Sequence, residues 1–82
     1  MSTWFVYILR CSDGTLYTGI TTDLAERLSA HRGGSASRYT RARLPVRLVY
    51  QERQPDRSSA SKREAAIKKL PRSAKLALIR RR

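Results

Sequence analysis

Tyr7, Tyr17, Arg27, His31 and Glu64 are the residues whose types could do chemistry together in this sequence. Each has an ordinary explanation when taken singly. A tyrosine can sit in a core with its hydroxyl hydrogen-bonded. Arg27 and His31, four residues apart, can share a solvated helix face. Glu64 can pair with Lys68 at the same spacing. What stands out is their convergence: two tyrosines on one hairpin, an Arg/His pair on the next helix, and one misplaced acid. The other carboxylates have local tasks. Asp13 suits a turn, Asp23 and Glu26 a helix start, Asp56 the loop before a helix, and Glu52 a strand end. Glu64 instead falls within a helix, beside its apolar stripe. Magnesium keeps most of its waters and is often held by one or two carboxylates plus substrate phosphate. A lone glutamate can therefore serve as a magnesium ligand where the substrate carries phosphate. It could not build an all-protein calcium or zinc cage.

The elements that must position these groups begin with a hairpin. Residues 4–10 and 15–20 are rich in β-branched and aromatic side chains and flank Ser12-Asp13-Gly14. A two-residue Asp13-Gly14 loop would put Tyr7 and Tyr17 on opposite faces. A three-residue loop, with a type I turn and Gly14 at positive φ, pairs Tyr7 with Gly19 and Leu9 with Tyr17. The second register is expected, and it sets both tyrosines on one face. The first strand is apolar on both sides, as an interior strand would be. Asp23 and Glu26 resemble a capping box that opens a helix with Leu24, Leu28 and His31 on one stripe and Gly33 as its C′ residue. Loop 33–43 is glycine- and serine-rich, then basic, with a helical turn expected around 37–40. Pro45 leads into a third strand over 46–51. A long helix over 58–70 presents Ala60, Arg63, Ile67 and Leu70 inward and ends at Pro71, and Ser73 caps a last short helix. The fold class is α+β (α/β in the broad sense): one domain, a three-stranded antiparallel sheet flanked by helices.

Eighty-two residues allow one small core, and a net charge of +12 is extreme for that size. The isoelectric point is near 11.3. Such charge speaks to partners, and a nucleic acid is the first candidate. Arg27, Arg32, Arg38, Arg41, Arg43, Lys62, Lys68 and Lys69 supply the expected basic surface, with Tyr39 available to stack on an exposed base. Cys11 is the only cysteine, so neither an internal disulfide nor a Cys/His zinc site is expected. The N-terminus has no secretory pattern and no run reaches membrane-span length. A cytoplasmic setting without membrane association is the expectation.

These residues carry a family resemblance. Phe5-Val6-Tyr7, Tyr17-Thr18-Gly19, Arg27, His31, and Glu64 within Lys62-Arg63-Glu64-Ala65-Ala66-Ile67-Lys68-Lys69 stand in the order and spacing of the GIY-YIG nuclease domain. The sequence resembles in particular its small stand-alone bacterial members of unassigned biological role. The resemblance spans residues 2–79 and leaves 80–82 as a basic tail. It implies a divalent-metal-dependent endonuclease that hydrolyses DNA phosphodiesters, branched or single-stranded forms included. It further implies that Tyr17 or Tyr7 acts on the attacking water, as base or by orienting it. Arg27 would contact the scissile phosphate, His31 would assist proton transfer or hold Tyr7, and Glu64 would ligate one Mg²⁺ or Mn²⁺. Two departures are visible. Phe5 stands where the family motif has glycine, and the chain has no asparagine to place after the metal-binding helix. The alternative is a DNA- or RNA-binding protein that keeps the fold without turnover. A monomer or weak dimer is expected.

Overall fold

The computed structural model describes residues 3–81. Strand β1 runs Trp4–Arg10 and β2 runs Leu16–Thr21. Helices α1 (Leu24–Arg32) and α2 (Arg38–Arg41) follow, then β3 (Arg47–Gln54), α3 (Arg57–Lys69) and α4 (Arg72–Arg80). The sheet has the order β2-β1-β3 and both pairings are antiparallel. The strand with apolar residues on both sides is thus the central one, and Val6, Tyr7, Ile8 and Leu9 are all buried.

The hairpin has the three-residue loop. The Gly14 N–H donates to the Cys11 carbonyl at 2.9 Å and the Cys11 N–H to the Thr15 carbonyl at 2.9 Å. Gly14 holds φ +84°, which glycine adopts without steric cost. Asp13 fixes the turn by accepting from the Thr15 N–H at 3.1 Å and its hydroxyl at 2.6 Å. Tyr7 therefore faces Gly19, and Leu9 faces Tyr17. Gly19 is needed there, because a Cβ at that position would lie 2.5 Å from the Tyr7 hydroxyl.

The two sheet faces carry separate cores. Val6, Ile8 and Tyr50 pack on Ala60 and Ile67 of α3, with Leu78 and Ile79 of α4 alongside. Tyr7, Leu9, Cys11 and Val46 form the other layer, against Leu24 and Leu28 of α1. Burying one such aliphatic side chain contributes about 1.5–3 kcal/mol.

Several helix ends differ from the sequence expectation. Asp23 does cap α1, accepting from the Glu26 N–H at 3.0 Å. The reciprocal half of a capping box is absent because the Asp23 N–H already donates to the Thr21 hydroxyl at 3.1 Å. Gly33 is the C-cap in right-handed geometry, and Gly34 takes the left-handed position at φ +82°. The Ser35 N–H reaches the Ala30 carbonyl at 2.9 Å and the Gly34 N–H the His31 carbonyl at 3.1 Å, a Schellman closure one residue later than expected. Ser73 does not cap α4. Pro71 holds that place with no side-chain bond, its carbonyl accepting from Ala74 and Lys75. Strand β3 begins at Arg47 and continues to Gln54, because its partners on β1 extend to Trp4. Of the basic tail, Arg80 is the last residue of α4 and Arg81 its C-cap. Arg82 and Ser2 lie outside the described residues. Among the described residues no helix is long and apolar enough to cross a membrane.

Candidate functional site

The hairpin register puts Tyr7 and Tyr17 on the sheet face covered by α1. The Leu24/Leu28 stripe seats α1 there, and one turn beyond Leu28 the same stripe delivers His31, only 1 % exposed. Both tyrosine rings meet the imidazole edge-on, at centroid distances of 5.7 Å for Tyr7 and 5.2 Å for Tyr17. The Tyr7 hydroxyl lies 2.8 Å from His31 Nε2. The other ring nitrogen, Nδ1, lies 2.8 Å from the Thr40 hydroxyl.

The hydrogen bonds around the ring are satisfied when the imidazole proton is assigned to Nδ1. Tyr7 donates to Nε2, the Nδ1–H donates to Thr40 Oγ1, and the Thr40 hydroxyl donates to the Ser37 carbonyl at 3.4 Å. Thr40 is itself fixed by α2, whose N-cap Ser37 accepts the Thr40 N–H at 3.1 Å. The electrostatics agree with it. Burial, with the neighbouring Tyr17, pushes the Tyr7 hydroxyl up to about 12, and Arg27 offsets only part of that. Burial, then the Arg27 charge, holds His31 below its ordinary value, so it is neutral at pH 7. Arg27 acts to acidify the buried tyrosine, and desolvation outweighs it.

Arg27 and Glu64 bear on the Tyr7 hydroxyl electrostatically from two different helices. Both charges act on the Tyr7 hydroxyl, Arg27 lowering its pKa and Glu64 raising it. Glu64 stands on the inner stripe of α3 between Ala60 and Ile67. Its side chain is 24 % exposed and pairs with Lys68 Nζ at 3.4 Å. The ordinary i, i+4 ion pair is therefore present, on a carboxylate that is also felt at the tyrosine face. Among the described residues no three His, Cys, Asp or Glu side chains are grouped as a metal cage. As a lone carboxylate, Glu64 would suit a hard cation that keeps most of its waters, of the kind often held by one or two carboxylates with substrate phosphate.

Tyr39 is placed differently from a free stacking platform. Its ring stacks on Tyr17 at 6.0 Å, and the Arg43 guanidinium lies 3.8 Å from its centroid. Arg43 in turn pairs with Asp13 at 3.1 Å and donates to the Tyr39 carbonyl at 3.0 Å. Arg32, Arg38 and Arg41 are exposed on the α1–α2 side, whereas Lys62, Lys68 and Lys69 are exposed on α3, across the sheet. The expected basic surface is thus divided between two layers. Thr40 was not among the residues expected from sequence. Its only local signal is the Ser37-to-Thr40 spacing of a helix start.

Comparison with known proteins agrees with the fold and the family. The model of the GIY-YIG catalytic domain matches residues 3–77. A UPF0213 protein of Desulfotalea psychrophila is 56 % identical over 78 residues, covering 94 % of this chain and 71 % of the relative. Another from Streptococcus sanguinis is 53 % identical over 78 residues, covering 95 % and 90 %. The solution NMR structure of a UPF0213 protein from Bacillus halodurans superposes with a TM-score of 0.61 at 42 % identity, covering 94 % of this chain and 82 % of that one. A solution NMR structure from E. faecalis gives 0.63 at 40 %, covering 92 % and 80 %. Matched over residues 3–77 and at 50 % identity or more by the Desulfotalea and Streptococcus relatives, this chain belongs to the GIY-YIG family and groups with its small UPF0213 proteins.

Proposed function

We propose that the protein is a divalent-metal-dependent endonuclease that hydrolyses phosphodiester bonds in DNA, branched or single-stranded forms included. The observation that carries this reading is the 2.8 Å contact between the Tyr7 hydroxyl and His31 Nε2, within reach of the Arg27 and Glu64 charges. A purely structural tyrosine needs no neutral imidazole as its acceptor.

The residues divide the work as follows. Tyr17 is half-buried, and no hydrogen bond engages its hydroxyl among the described residues. It orients the attacking water. Tyr7 keeps its own proton at rest, so it takes the water's proton only as its own moves to Nε2 of His31. The resulting imidazolium is held at Nδ1 by Thr40. Gly19, which has no side chain, lets the Tyr7 hydroxyl lie against the β2 backbone, where a Cβ would come within 2.5 Å of it. Arg27 offsets charge developing on the phosphate. Glu64 would hold the cation, and Mg²⁺ or Mn²⁺ bound there would supply Lewis-acid charge at the phosphate.

The test is a cleavage assay on duplex, single-stranded and branched DNA and on RNA, with Mg²⁺, Mn²⁺ or EDTA. Wild type is expected to cut DNA only with metal, and Tyr17→Phe and Glu64→Ala to lose cleavage while folding normally. Cleavage that persists in EDTA or in the Glu64→Ala protein overturns the proposal. The 3.4 Å Glu64–Lys68 pair favours a second reading, a nucleic-acid binder without turnover. Tight binding with no cut on any substrate would select it.

A further inference from the structure

We infer that the cavity lined by Arg10 and Arg47, at the hairpin end of the sheet, binds a phosphate group of a nucleic-acid backbone. Arg10 and Arg47 are direct cross-strand partners at the hairpin end of β1 and β3. Like charges placed opposite one another on a sheet are destabilising. This pairing depends on an irregularity. The β1–β3 register runs Ile8 to Tyr50, then Leu9 to Leu48, which leaves Val49 as an extra residue. Without that bulge Arg10 would oppose Leu48, an apolar partner. Bulges are common beside functional sites, where they re-aim side chains. Here the bulge aims a second arginine at the first.

No acid relieves the repulsion. Asp13 is taken by Arg43, Glu52 by Arg63 and Glu64 by Lys68. Asp23 and Asp56 cap helices, and Glu26 lies in the first turn of α1. The two arginines line a cavity of about 220 Å³ together with Cys11, Ser12, Pro45 and Val46. Ser12 contributes a hydroxyl, while its N–H is spent on the Arg43 carbonyl at 2.9 Å. Arg72, at the start of α4, donates to the Gly14 carbonyl at 2.9 Å and brings a third guanidinium to the same end of the sheet. Arginine's planar fork matches phosphate oxygens, and an oxyanion between Arg10 and Arg47 would turn repulsion into attraction.

The position also bears on the substrate. By strand alternation Arg10 shares the side of Val6, Ile8 and α3, whereas Cys11 and Val46 of the same cavity belong to the tyrosine layer. A phosphate held there lies at the hairpin end of the sheet, beside both layers. The phosphate site does not rest on the proposed nuclease reading.

The test begins with inorganic phosphate added to the folded protein, with chloride at equal ionic strength as control. Heteronuclear NMR is expected to show saturable shifts at the Arg10 and Arg47 side-chain N–H groups and at Ser12. Arg10→Ser and Arg47→Ser should each abolish them. Each variant should unfold at the same or a higher temperature than wild type without phosphate, and lose the phosphate-dependent gain. A merely structural pair would not give that reversal. Anisotropy with a labelled four-way junction forms the second arm. The double variant should lower the slope of log affinity against log salt by about 0.9, one phosphate's worth. Absence of saturable shifts, or an equal phosphate gain in the variants, overturns the site. Shifts with an unchanged salt slope would make the ligand a free oxyanion and overturn the backbone assignment. None of these readouts needs cleavage, so a failed nuclease assay leaves them interpretable.

Discussion

Tyr7 and His31 form a pair whose protonation is set by burial, and that has consequences at both ends of the pH scale. The Tyr7 hydroxyl is raised from 10.0 to about 12, first by burial. A raised folded value means the protonated form is the one the fold prefers. The associated stability is whole below pH 10 and is lost as pH rises toward 12, on the order of 2–3 kcal/mol in all. His31 runs the other way. Its folded value lies below the ordinary 6.5 because of burial, then Arg27. Its stability is whole above 6.5 and declines as pH falls below that. Denaturant unfolding across the pH range should therefore show a loss on both flanks, with Tyr7→Phe removing much of the alkaline loss. Alkaline loss unchanged in Tyr7→Phe would contradict the assignment of that proton. The meeting of Tyr7, Tyr17 and His31 was legible in the sequence because hairpin register and helix spacing are local properties. Thr40 was not, since its partner His31 is nine residues away and is met only through the α1–α2 turn. Nor was the stacking of Tyr39 on Tyr17 visible, for the same reason.

At the scale of elements, α3 is tied to the sheet by a polar joint as well as by Ala60 and Ile67. Glu52 lies in β3, accepts the Tyr50 hydroxyl and the Gln54 amide, and meets Arg63 Nε at 2.9 Å. From sequence Glu52 looked like a strand end, because the apolar alternation of 46–50 stops there. The pairing of β3 with β1 continues regardless, and the carboxylate is accepted at 18 % exposure because three partners satisfy it. Burial alone would raise its pKa; the Tyr50 and Arg63 bonds bring it below the ordinary carboxylate value. That contribution is present above pH 4.5 and is lost as pH falls through the lower folded value. Glu52→Gln should cost about 1–3 kcal/mol in equilibrium unfolding and flatten the acid limb of the stability profile. Because α3 also carries Glu64, the variant should weaken metal-dependent cleavage without touching the tyrosine face. Wild-type stability in Glu52→Gln would show that the apolar contacts alone hold α3.

The whole molecule carries 18 basic and 6 acidic residues in 82. Its three ion pairs among the described residues use three of those acids. Most of the cations therefore face solvent without an opposite charge, distributed over both layers of the fold. Two opposite salt dependences follow from this single fact. For the free protein, self-repulsion opposes the compact state, and added salt screens it. The screening length is roughly 30 Å at 0.01 M and roughly 10 Å at 0.1 M, so it passes from as long as the 32 × 28 × 20 Å molecule to well inside it. Thermal unfolding should rise in temperature over that interval of chloride concentration. For the complex with DNA, salt acts in the other direction. Each phosphate neutralised contributes about −0.9 to the slope of log affinity against log salt. Calorimetry of the free protein and anisotropy with labelled DNA, over one chloride series, should give slopes of opposite sign. If affinity were insensitive to salt, the basic surface would not be the nucleic-acid interface, and the unpaired arginines would need another partner.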